Sequence, residues 1–151
     1  MKKFVFPLEK VLNYKTAVLD DEKGKLAVLR QELHRIEAEI EENRRQLFEN
    51  DLHMRETAAK GTSLFELQSM NFQIENTRRH IDGLELSRAV QQRKVDRQLN
   101  VVLQATQDVN GLERLKEKQL AEHTEAVRKE ENLIISELVG SQYVRELEGI
   151  Q

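Results

Sequence analysis

The chain has 151 residues, 34% charged and 38% hydrophobic, with 24 basic against 27 acidic residues and a formal net charge of −3. A soluble globular domain averages roughly 25% charged residues. With 1 Pro, 6 Gly and no Trp, the chain lacks the turn formers and bulky core fillers of sandwiches, barrels and α/β folds, which leaves a long helical hairpin or coiled coil.

The opening MKKFVFPLEK has too short an apolar stretch for a signal peptide. No uncharged apolar run approaches the roughly 20 residues of a membrane span. A soluble, intracellular protein is expected. The absence of Cys excludes a disulfide framework, a thiolate zinc site and a cysteine nucleophile, and it fits a reducing compartment.

Pro7 suits the first turn of a helix, where its missing N–H has no partner to lose. Nothing breaks the pattern before Gly61, so a helix over about 7–60 is predicted. Every seventh residue from Leu12 is apolar: Leu19, Leu26, Leu33, Ile40, Leu47 and Met54 follow it. The second seam position is looser, with Leu8, Leu29 and Ile36 apolar but Lys15, Glu22, Asn43 and Asn50 polar. A strict period of seven means a narrow seam supercoiling against a partner helix. Gly24 weakens the middle of that helix by roughly 1 kcal/mol relative to Ala.

The break falls at Lys60-Gly61-Thr62-Ser63. Gly can take the left-handed conformation that ends a helix, and Ser63 with Glu66 makes a capping box that starts the next. A turn at about 61–63 and a second helix over about 64–139 follow. Its seam runs from Leu67 and Met70 to Val109 and Leu112, interrupted by Thr77, Arg88, Gln91 and Gln98. Folding back about residue 62 makes apolar layers such as Met54/Met70, Ile40/Leu84, Leu29/Val95 and Leu12/Leu112. Leu33/Gln91, Leu26/Gln98 and Ile36/Arg88 are mixed, so a weaker seam is expected there. The fold class is all-α: one hairpin over 1–151, two long helices in an antiparallel coiled coil, the C-terminal one longer.

Past Leu112 the heptad is expected to slip, with Leu120, Val127, Ile134 and Leu138 as a displaced stripe. The register places residue 117 opposite residue 7. Lys118 to Val139 would then overhang by roughly 33 Å at 1.5 Å per residue, and such a helix asks for a partner. Gly140 is expected to cap it, leaving a frayed tail over 140–151.

Little in the chain points to chemistry. His34, His53, His80 and His123 lack ligand spacing, and acidic pairs such as Glu41/Glu42 and Glu130/Glu131 read as solvated helix face, with partners such as Arg45. No phosphate loop, GxSxG or concave scaffold is evident. The reading is a non-enzyme without metal or other cofactor. Nucleic acid is not an expected partner: between Arg78 and Arg97 acidic residues interrupt the basic ones and no aromatic lies among them. Phe48, Phe65 and Phe72 lie off the seam near the turn. They form either an exposed recognition patch or the packing of a short irregular segment.

The opening FVFPLEKVLNYK, Phe4 to Lys15, resembles the F-x-F-x-L-x-x-V-L start of the FliJ family, the small coiled-coil proteins of the bacterial flagellar type III export apparatus. GLERLKEKQLAEHTEAVRKEEN, Gly111 to Asn132, is similar to that family's C-terminal LEKLKE(K/R)Q stretch. The resemblance implies a non-catalytic stalk that inserts into the hexameric export ATPase FliI, promotes its assembly, contacts the export gate protein FlhA and escorts export chaperones. It also implies a cytoplasmic protein peripherally associated with the inner-membrane export apparatus, with no direct membrane insertion. Phe4, Phe6, Leu8, Arg114, Lys116 and Lys118 are the candidates for the ATPase contact. At the hairpin end Phe48, Leu52, Phe65 and Phe72 are the candidates for the gate contact, although tyrosines that some relatives carry there have no counterpart here. The alternatives are an injectisome secretion stalk and a generic coiled-coil scaffold.

Overall fold

The computed structural model describes residues 2–149. Two helices account for nearly all of them: α1, Glu9–Lys60, of 52 residues, and α2, Leu64–Gly149, of 86 residues. They pack against each other as a hairpin, and among the described residues there is no strand. Two compact units divide the chain, residues 20–104 forming one and residues up to 19 with those from 105 onward forming the other.

The 20–104 unit contains the turn. Gly61 has φ 90°, the only positive φ among the described residues, and glycine reaches it without the steric cost a Cβ would impose. Its N–H donates to the Ala58 carbonyl at 3.3 Å. The Glu66 N–H donates to Ser63 Oγ at 3.2 Å, so Ser63 caps α2 as its sequence position predicts. The Glu66 carboxylate accepts a hydrogen bond from the Thr62 hydroxyl. Both flanking residues are thereby tied to the first turn.

The seam of this unit buries Leu26, Leu33, Ile36 and Ile40 of α1 against Ile74, Ile81 and Val95 of α2. Ile74 is 2% exposed. Toward the turn Leu47, Met54, Leu67 and Met70 are only half-buried, as expected where a two-helix seam has no third neighbour to cover it. The polar layers are filled in an unexpected way. Gln91 is itself buried, and its amide donates to the Leu29 carbonyl at 3.0 Å. Gln98 does the same to the Glu22 carbonyl at 3.0 Å. Each amide links the helices through a backbone oxygen that has a second lone pair to offer. Arg88 turns outward and binds Glu85 at 3.2 Å, while Glu85 also holds Arg44 of α1 at 2.5 Å.

In the other unit Leu12, Leu19 and Val109 are buried. Lys15 pairs with Asp108 at 3.7 Å and Lys116 with Glu9 at 2.9 Å. The segment before α1 has no regular secondary structure as far as Phe6, and Phe4 brings it onto α2 as a strap. Phe6 is 5% exposed, and the Phe4 ring meets His123 with centroids 5.6 Å apart at a 45° tilt.

Three expectations change here. The seam does not slip directly after Leu112: Lys116, Gln119 and His123 continue the same frame as half-buried residues, and only beyond His123 does the half-buried stripe shift, to Val127 and Glu131. Lys116 meets Glu9 at the start of α1, and His123 meets Phe4 of the strap. The overhang begins later than Lys118, and every residue from 132 to 149 is exposed. Gly140 does not end the helix, which continues to Gly149. An interior glycine costs a helix only about 1 kcal/mol, and no proline follows to stop it. Residues 150 and 151 of the expected tail lie outside the described residues.

Candidate functional site

Among the described residues the charged side chains line long helices and the grooves between them are open; the exposed apolar surfaces are the candidates for contact with a partner. Ion pairs occupy much of the charged face. Arg35 bridges Glu32 at 2.6 Å and Glu39 at 3.4 Å, and Arg45 bridges Glu42 at 2.6 Å and Glu49 at 2.7 Å. Glu41 takes Arg44 at 3.5 Å rather than Arg45. Hydrogen bonds from Arg35, Arg45 and Arg128 hold the Glu32, Glu42 and Glu125 carboxyls below the usual carboxylate range. Bonds from Lys25 to Asp21 and Glu22 raise the Lys25 ammonium. These groups are solvated, and such pairs contribute little to stability. Among the described residues no group of three or more His, Cys, Asp or Glu is placed to hold a metal. No helix among them is long and apolar enough to cross a membrane.

Near the turn Phe48, Leu52, Phe65 and Phe72 are all exposed, Phe65 to 79%. They stand on regular helix, so packing of an irregular segment does not account for them. Phe48 and Leu52 share a face of α1 one turn apart, and Phe65 and Phe72 share a face of α2 two turns apart. Leu64, 71% exposed, belongs with them. Its place directly after the Ser63 cap was the available signal, since the first turn of a helix projects beyond the seam.

At the open end the six candidates separate. Phe6 is buried and Phe4 half-buried on His123, so both fasten the strap. Lys116 is spent on Glu9. Leu8, Arg114 and Lys118 face outward. The larger surface lies beyond them, where Leu133, Ile134, Ile135, Leu138, Val139, Tyr143, Val144 and Leu147 are each about half exposed or more. At 100° per residue these eight side chains point around the whole circumference of α2. Sequence reasoning that ended the helix at Gly140 missed the last three. A signal for them was present in the run LVGSQYVREL, which has no strong helix breaker apart from that glycine.

A protein-family model described as "Flagellar FliJ protein" matches residues 3–148. No match was found among the curated proteins or among the solved structures. The family match spans nearly the whole chain, from the strap through both helices: the chain belongs to the FliJ family of flagellar proteins.

Proposed function

We propose that the chain is a non-catalytic stalk of the bacterial flagellar type III export apparatus. Its α2 end enters the hexameric export ATPase FliI and promotes assembly and activity of the ring. The apolar residues near the turn meet the export gate protein FlhA, and the same protein escorts export chaperones. The flagellar family match favours this system over an injectisome. On this reading the protein works in the cytoplasm, at the periphery of the inner-membrane export machinery.

The observation that carries the proposal is the unpaired stretch of α2 from residue 132, exposed at every position yet rich in large apolar side chains. Large apolar side chains spread around the whole circumference of a helix favour its being surrounded, and exposed apolar surface on this scale marks an interaction site. A ring of subunits surrounds a helix in a way a flat surface cannot. On this reading the exposed Leu8, Arg114 and Lys118 meet the rim of the ring. Because different side chains face different directions, the helix favours one state of the subunit it touches over another. ATP hydrolysis by the hexamer with and without the chain tests the proposal. Stimulation by the full chain, lost with Ile134→Asp/Leu138→Asp, is expected; an equal rate with and without the chain would refute it.

A further inference from the structure

The outer part of α2 is uncovered in the free protein, and its sequence is complementary to itself. From Lys118 to Lys129 the helix carries three basic and two acidic residues, and Phe4 of the strap packs on His123 within it. From Glu130 to Gly149 there are five glutamates against one arginine, Arg145. Two such helices side by side in parallel would set Glu130, Glu131 and Glu137 against their own copies. Antiparallel, each basic inner half meets an acidic outer half.

We propose that a second copy of this chain covers this surface in the free protein, through an antiparallel pairing of the two α2 ends about Leu133. The residues Glu122, Ala126, Lys129, Leu133, Glu137, Gly140 and Val144 follow one another at intervals of three and four and so share one face; all are exposed. This face lies beside the one that meets the strap at His123. A two-fold axis at Leu133 brings each residue to a defined partner. Leu133 meets itself, and Lys129 meets Glu137. Ala126 meets Gly140, two small residues that let the helices approach closely. Val144 comes to the shallow groove lined by Ala121, Glu122, Glu125, Ala126 and Lys129, where Arg145 also reaches Glu122. Arg128 is already engaged by Glu125 at 2.7 Å, which leaves Lys129 to make the intermolecular pair. The paired span buries on the order of 1,000 Å² in total, the scale of weak, reversible complexes. Pairing and insertion into a ring use the same helix and therefore exclude each other, so the dimer is a resting form.

Sedimentation equilibrium of the full chain from about 10 μM to 1 mM at low salt tests this. A monomer–dimer equilibrium is expected. Lys129→Glu or Glu137→Lys alone each weakens it about tenfold, because a symmetric dimer contains the pair twice. The double variant restores it. Gly140→Leu removes the close approach while favouring helix, so it weakens the dimer without unfolding the chain; circular dichroism confirms retained helicity. A chain monomeric up to 1 mM, single variants without effect, or a double variant no better than either single would each overturn the proposal. ATPase stimulation is read separately: a chain that stimulates but does not dimerise overturns the pairing alone.

Discussion

Gly24 and Gly61 show how the same residue type acts in opposite directions. A Cβ at Gly24 would meet nothing within 4 Å, so Gly24→Ala raises stability by about 1 kcal/mol, read as a higher urea midpoint. Gly61, at φ 90°, is different: Gly61→Ala lowers stability by about 1 kcal/mol through backbone strain alone, although the space is equally open. Gln91 supplies a third case. Gln91→Leu fills the seam with apolar volume and is neutral or stabilising in a melt, while it removes a hydrogen bond that only one register can make. The ion pairs set the pH response. Glu32, Glu42 and Glu125 have depressed folded pKa values, so their contribution is complete above the ordinary carboxylate pKa of about 4.3 and is lost as pH falls below it. Lys25, raised by Asp21 and Glu22, contributes below the ordinary lysine pKa of about 10.4 and fades above it. Helicity followed by circular dichroism is therefore flat across neutral pH and declines slightly in acid.

At the scale of the helix the seam carries stability and the outward aromatics do not. Leu33 is 6% exposed, and Leu33→Asp buries an unpaired carboxylate, at a cost of about 4 kcal/mol that a two-helix seam can ill sustain. Phe72, 65% exposed, is replaceable by Ala with helicity unchanged. Equal losses of ellipticity in the two variants would contradict this division. Much of the hairpin was legible from spacing alone: the sevenfold run from Leu12 to Ile40 and the Gly61–Ser63 corner stand where periodicity and capping chemistry put them. The polar layers were less so, because a glutamine in a seam reads as a defect until its amide is seen to reach the Leu29 carbonyl. The strap escaped the reading altogether. Phe4 and Phe6 precede the helix, and no periodicity describes a non-helical segment that folds onto α2 at a polar residue, His123. The helix end was misplaced because Gly140 is a stop signal only when something after it takes over the backbone's direction.

For the whole molecule the decisive feature is the inequality of 52 residues in α1 and 86 in α2. It leaves a helical end that α1 does not reach and the strap covers only as far as His123. The high charge belongs to the outer faces, and exposed apolar residues, though present along both helices, include a set near the turn and a second set beyond residue 132. In the stalk account the second of these sets is the part that acts on the export ATPase. The most direct test measures ATP hydrolysis by the export ATPase with the full chain and with a chain ending at Glu131, which keeps the seam and the strap but lacks the uncovered end. Stimulation by the full chain and at least a tenfold weaker apparent affinity for the shortened one are predicted, the loss expected when several buried apolar side chains are removed from an interface. Equal stimulation by both chains would contradict the account.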